Sequence, residues 1–308
     1  MIQTVVQVPL FVGENLEIQK NRITGGPGRR LCLVTGTHGD ELEGQYVAWR
    51  LGRLLQENPD SLQGTVDIYP ALNPLGINTM NRTFPLSGLD MNRTFPGSEH
   101  SGMTEYIARG IVEDLKGADL VIDVHASNIF LRECPQVRVN VNTTETLLPL
   151  AMQMNMDFIW VHAAATVLES TLAHSLNSVG TPTLVVEMGV GMRITPEYGR
   201  QLMNGIQNIM RYLGMWTGDV IPARNPIVST DGRVSFINAD VSGIFLPSVS
   251  HMAHVDKGQK LGIIADPLTG SVVQTLESPA SGWLFTLREY PVVYEGSLIA
   301  RILGGVGA

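Results

Sequence analysis

From Leu31 to Thr35 five apolar or β-branched residues follow one another without a break, a Gly-flanked stretch comes next, and from Glu41 apolar positions return at helical spacing through ELEGQYVAWRLGRLL. That succession predicts a strand, a loop and then a helix. The unit recurs. TVDIYPALNP reads as a strand ending in a loop, TEYIARGIVEDL as an amphipathic helix, and LVIDVH as a buried strand ending at His125. TPTLVVEMG is another short apolar run, preceded by the helical stretch SLNSVG and carrying Glu187 near its end. Thr195, Pro196 and Glu197 have the order of an N-cap, a proline at the first helical position and an acidic first turn, and they open a helix that Gly214 closes. Strands alternating with helices predict an α/β fold.

After about Thr217 Gly, Pro and short period-2 stretches replace the helical patterns, and no further helix is expected. One spacing repeats there. Val255, Gly258, Leu261 and Ile264 are matched by Val293, Gly296, Ile299 and Ile302, each set a turn glycine followed by a strand. This tail resembles the half-barrel sheets of lipoyl or biotinyl domains but has no carrier-lysine turn, so it reads as a packing or lid domain. The expected division is residues 1–218 for the α/β part and 219–308 for a smaller C-terminal β-rich domain.

Composition narrows the function classes. The 308 residues are 44% hydrophobic and 16% charged with a formal net charge of −8, an ordinary globular composition without a basic stripe for nucleic acid. The two cysteines, Cys32 and Cys134, have no CxxC spacing and read as structural. The first residues lack a basic stretch followed by an apolar one, and no run reaches about 18 apolar residues, so a soluble, cytoplasmic protein is expected.

His38 and Glu41 fall where a buried strand meets a helix, and imidazole and carboxylate are good zinc ligands. Alone, such a pair is more often just a surface His and Glu at a helix start. A second apolar run, however, ends in Asp123, Val124 and His125, and ligands from neighbouring strand ends meet in the crevice where open α/β sheets bind ligands. Two histidines and one carboxylate leave a fourth position for water, as catalytic zinc requires. In LDMNRTFPG, Asp90, Asn92 and Arg93 alternate with apolar residues, and a guanidinium beside an amide suits a substrate carboxylate; a solvated loop braced by its arginines is the other reading. Asn81 and Arg82 precede that segment with the same NRT tripeptide. Glu187, after apolar neighbours, needs either a partner or work. His251 and His254 form an HxxH read as incidental loop residues, His100, His162 and His174 receive no role, and Met152 to Met156 read as helix core or cleft lining.

HGDE, DMNRTFPG, DVH and VVEMG in that order resemble the succinylglutamate desuccinylase and aspartoacylase family, relatives of the zinc carboxypeptidases, over about Leu31 to Gly189. The resemblance implies a zinc carboxypeptidase-like mixed central sheet flanked by helices, one Zn2+ per subunit held by His38, Glu41 and His125, and Glu187 as catalytic glutamate. It further implies that Arg82 polarises the scissile carbonyl, that Asn92 and Arg93 hold the substrate carboxylate, and that Asp90 orients His38. For the family's tail tyrosine Tyr290 and Tyr294 are both candidates, and the role is assigned to neither. The expected activity is a zinc-dependent amidohydrolase of a small N-acylated amino acid, with no nucleic acid or membrane partner and homo-oligomerisation left open. A zinc carboxypeptidase and a non-catalytic binding protein on the same fold are the alternatives.

Overall fold

The computed structural model describes residues 1–163, 169–230 and 233–304. It begins with a hairpin of β1 (Ile2–Pro9) and β2 (Asn15–Thr24), then runs β3 (Arg30–Thr35), α1 (Glu43–Glu57), β4 (Thr65–Tyr69), α2 (Pro74–Thr79), α3 (Met103–Leu115) and β5 (Leu120–His125). β6 (Leu131–Asn140), α4 (Thr144–Ala151), β7 (Phe158–His162), α5 (Leu172–Ser178), β8 (Thr183–Gly189) and α6 (Pro196–Tyr212) follow. Beyond α6 the described residues form strands: β9 (Ile227–Thr230), β10 (Val234–Asn238), β11 (Gly243–Pro247), β12 (His254–Val255), β13 (Lys260–Asp266), β14 (Ser271–Glu277), β15 (Gly282–Arg288), β16 (Val292–Val293) and β17 (Leu298–Gly304).

The main sheet has the order β1-β2-β4-β3-β5-β8-β6-β15-β17-β10, with β7 and β12 beside β6 and β15, and β9 beside β7. β4, β3, β5 and β8 are parallel, whereas β6 is antiparallel to β8, so the sheet is mixed as expected. β14, β13, β11 and β16 make a smaller second sheet in the C-terminal, β-rich part.

The unbroken apolar run in β3 has a simple cause. Leu31 and Leu33 pack in one core with Leu51 of α1 and Ile206 of α6, while Cys32 and Val34 pack in the opposite core with Ile107 of α3 and Leu176 of α5. A strand covered by helices on both faces has no polar side to present. Leu51 is fully buried, and truncating such a residue to alanine costs about 2–5 kcal/mol.

The C-terminal repeat folds as two copies of one unit: Gly258 and Gly296 turn with φ of +82° and +83°, in the left-handed region glycine tolerates. Val255, Leu261 and Ile264 of the first unit share a core with Val293, Ile299 and Ile302 of the second. The units nonetheless diverge, because β13 joins the small sheet and β17 the main one.

Some local expectations change. Met152 to Met156 follow α4 instead of lying in it, with Met154 and Met156 buried in the main core. Thr195 does precede α6, but its side chain makes no capping hydrogen bond; its backbone N–H donates to the Glu43 carboxylate at 2.8 Å. No helix among the described residues is long and apolar enough to cross a membrane.

Candidate active site

β3 and β5 are parallel neighbours with Thr35 opposite Val124, and β5 and β8 are neighbours with His125 opposite Glu187. The carboxyl ends of three adjacent strands therefore carry the segment leading to His38 and Glu41, then His125, then Glu187. Glycine is needed between His38 and Asp40: a Cβ on Gly39 would sit 2.0 Å from the carbonyl carbon of Gly76 at α2. The same glycine donates its N–H to the Asn81 carbonyl at 3.0 Å, tying this turn to the segment that carries Arg82.

His38 Nδ1 lies 2.7 Å from Glu41 Oε1, and His125 Nδ1 lies 2.9 Å from Glu41 Oε2. Behind the rings, His38 Nε2 is 3.0 Å from Asp90 Oδ1 and His125 Nε2 is 3.1 Å from Asp123 Oδ2. The carboxylate facing each Nε2, through a hydrogen bond at His38 and through its charge at His125, favours the ring proton on that nitrogen and leaves the Nδ1 lone pair facing inward, as in histidine metal ligands. Two inward lone pairs would then meet two carboxylate oxygens, an arrangement that repels itself unless protons or a cation stand between. The ligand atoms of His38, Glu41 and His125 lie within 4.8 Å of one another, and all three residues are buried. The donor set and its surplus of negative charge, with Glu41, Asp90 and Asp123 around two imidazoles, fit one divalent cation. Among the described residues this is the one cluster that could hold a metal.

Electrostatics follow the same logic. Burial would push the Glu41 carboxyl up, but with protons between them the positive rings of His38 and His125 outweigh it and hold it well below the usual carboxylate range. Burial likewise opposes Asp90, where the hydrogen bond to His38 together with Arg82 and Arg93 brings it down to about 2. Glu187 goes the other way: burial pushes it up and Arg138 only partly offsets this.

Arg82 donates to Glu41 Oε1 at 2.8 Å and lies 3.4 Å from Asp90 Oδ2, so one guanidinium spans two of the three carboxylates of the cluster. In the following loop Met91 and Phe95 are buried anchors, which explains the alternation of DMNRTFPG. Asp90 caps the short turn Met91–Arg93 by accepting from the Asn92 N–H. The Asn92 side-chain oxygen accepts from the Leu172 N–H at 2.9 Å, an anchor for the start of α5 that was not expected.

A cavity of about 490 Å³ is lined by His38, Glu41, Arg82, Asn92, Arg93, His125 and Glu187, with Asp90 immediately behind His38. Apart from the two tyrosine candidates, the residues singled out for the site from sequence thus come to one place. The cavity wall also includes Phe130, Glu133, Arg138 and His162 and, from β17, Arg301, none of which the motifs indicated. His125 and Asp123 are two apart in the sequence, a spacing that could have flagged the aspartate. For Arg138 and Arg301 no local signal existed. Neither Tyr290 nor Tyr294 lines the cavity; Tyr290 packs edge-on against Phe130 with centroids 5.6 Å apart, and Tyr294 is exposed. His251 meets the Phe285 carbonyl and His254 the Trp283 ring, so they form no common site.

Residues 27–213 match the family model described as the succinylglutamate desuccinylase/aspartoacylase catalytic domain. The chain is 26% identical over 285 residues to the N-alpha-acetyl-L-2,4-diaminobutyric acid deacetylase of Halomonas elongata, covering 90% of this chain and 82% of that one. In fold it is similar to the product-bound ectoine utilization protein EutE of Ruegeria pomeroyi, with a TM-score of 0.86 at 20% identity over 99% of this chain and 95% of that one. It is similar also to a succinylglutamate desuccinylase/aspartoacylase from Rhodobacter sphaeroides, with a TM-score of 0.84 at 23% identity over 100% and 96% of the two chains. With the matched segment spanning the loops that carry His38, Arg82 and Arg93 and the strands that carry His125 and Glu187, the chain belongs to the succinylglutamate desuccinylase/aspartoacylase family.

Proposed function

We propose that this protein is a zinc-dependent amidohydrolase that removes an acyl group from a small N-acylated amino acid or a related compound, with one zinc held by His38, Glu41 and His125. The observation that carries the reading is the convergence of two carboxylate-backed imidazoles on the two oxygens of Glu41, beside Glu187 and Arg82 in the same cavity. Bound there, zinc supplies Lewis-acid chemistry, polarising a carbonyl and making water more acidic.

The chain's own groups do the rest. Glu187 accepts the proton of the attacking water and delivers it to the departing amine nitrogen, a role favoured by a carboxyl that burial raises above its ordinary value. The Arg82 guanidinium donates to the developing oxyanion. Arg93, whose Nη1 donates to the Asn92 carbonyl, keeps other N–H groups for a substrate carboxylate, and Asn92 stands beside it.

A carboxypeptidase needs an open path for the peptide on the acyl side of the scissile bond. A cavity of about 490 Å³ with Arg301 of β17 among its lining residues supports a small substrate over the carboxypeptidase alternative. The complete ligand set together with Glu187 weighs against a non-catalytic binding protein. The test is amine release from a panel headed by N-acetyl-L-2,4-diaminobutyrate, after the Halomonas elongata relative, with N-acetyl-L-aspartate and N-succinyl-L-glutamate, measured with zinc and after chelation. Zinc-dependent release from at least one member is expected. Cleavage confined to peptides would favour the peptidase, and binding without release the non-catalytic alternative.

A further inference from the structure

Arg138 Nη1 lies 3.2 Å from Glu187 Oε1, and its Nη2 lies 3.4 Å from Glu133 Oε1. Arg301 Nη1 reaches that same Glu133 oxygen at 2.6 Å. Alternating charges thus run from Glu187 on β8, through Arg138 and Glu133 on β6, to Arg301 on β17. Between them, on β15, the Thr286 hydroxyl donates to Glu133 Oε2. Trp160 of β7 lies beside both guanidiniums, at 5.5 and 5.6 Å.

The row depends on a bulge. Residues 133 and 138 are an odd number apart and would face opposite sides of a regular strand. Against β8, however, Glu133 pairs with Gly189 and Gln136 with Glu187, so β6 carries one extra residue there. Pro135, which has no N–H to give the ladder, lies in this interval, and the bulge turns Glu133 onto the face of Gln136, whose amide donates to it at 2.9 Å. Thr286 is opposite both Glu133 and Arg301, which completes the alignment across three strands.

Glu133 is 1% exposed. Buried ion pairs add little net stability over apolar replacements, so a buried charge row running into a reaction site points to geometry as its use. We infer that Arg138 is a positioning residue that fixes the Glu187 carboxylate, and that Arg301, through Glu133, fixes Arg138, so that the C-terminal strand β17 completes the site. The inference rests on Glu187 being the proton acceptor. Misplacing a reacting group by about 1 Å can cost on the order of a hundredfold in rate.

The experiment is a double-mutant cycle on the holoenzyme with the best substrate of the panel, alongside zinc titration of the metal-free protein by calorimetry. Arg138→Gln is expected to lower kcat by about ten- to a hundredfold, with KM and zinc Kd each within about twofold of wild type. Added to Glu187→Gln it should cause no further loss, because its effect passes through that carboxylate. Arg301→Gln should show the same pattern with a smaller loss. Arg138→Lys, which keeps the charge but not the two-headed bridge, should fall between and serves if Arg138→Gln does not fold. An equal loss in the Glu187→Gln background, a change in KM alone, or wild-type kcat in the folded Arg138 variants would overturn the inference. Near wild-type turnover in Glu187→Gln by itself would instead overturn the role of Glu187.

Discussion

Asp123 Oδ2 stands 3.1 Å from His125 Nε2, behind the ring edge that faces Glu41, and Asp123 is 1% exposed. Its other oxygen has no hydrogen-bond partner among the described residues, and the contact with Nε2 is one of charge at ion-pair distance, outside strict hydrogen-bond geometry. Asp123→Asn removes the charge that keeps the His125 proton on Nε2. Zinc affinity should fall about ten- to a hundredfold, read by competition with a chromogenic chelator. An unchanged affinity would mean that the aspartate does not orient the ligand.

Glu187→Gln keeps the shape of the side chain and its place beside Arg138 but cannot accept a proton. Turnover should drop by about 10²- to 10⁴-fold while zinc content stays at the wild-type level, checked by amine release and elemental analysis on one preparation.

Arg82 bridges Glu41 and Asp90 and faces the cavity, so its removal touches the oxyanion more than substrate capture. Arg82→Ala should lower kcat by about 10²- to 10³-fold with a smaller change in KM. A variant whose KM rises while kcat holds would assign the guanidinium to ground-state binding.

The sequence makes the recurring elements readable for a physical reason. β3 is apolar throughout because helices cover both its faces, and α1 repeats at 3.6 because one stripe meets the sheet; each pattern records a local environment. The C-terminal spacing from Val255 to Ile264 and from Val293 to Ile302 was readable on the same ground. The proposed ligands His38, Glu41 and His125 are legible because each lies beside such an element. What lay hidden was relational. Glu133, Arg138 and Arg301 come together only through a bulge at Pro135 and the registers of β6, β15 and β17, which no local spacing encodes. The N-terminal β1 and β2 pair, with their short alternating stretches, likewise went unassigned until their register was seen.

Far from the site, Asp67 is fully buried and faces Arg22 and Arg30 at 2.7 Å and Lys20 at 3.4 Å. Burial alone would raise its carboxyl, but the hydrogen bonds from Arg22 and Arg30 and the charge of Lys20 hold it below the ordinary value. The folded-state value thus lies under the unfolded one. The stabilisation is present above the unfolded value of about 3.9 and is lost as pH falls through the folded-state value. Asp67→Asn should cost about 3–5 kcal/mol at pH 7. The gap between variant and wild type in urea melts should narrow from pH 5 to pH 3; a gap that widens on acidification would contradict the sign.

Each role proposed for this site depends on two imidazoles and a carboxylate gripping one metal ion. The most direct measurement is zinc stoichiometry by elemental analysis after dialysis of the wild type and of His38→Ala, Glu41→Gln and His125→Ala, with folding checked by circular dichroism. One zinc per wild-type chain and a folded but zinc-depleted set of variants is the predicted result. Wild-type protein that stays metal-free in zinc excess, or variants that retain a full equivalent, would contradict it.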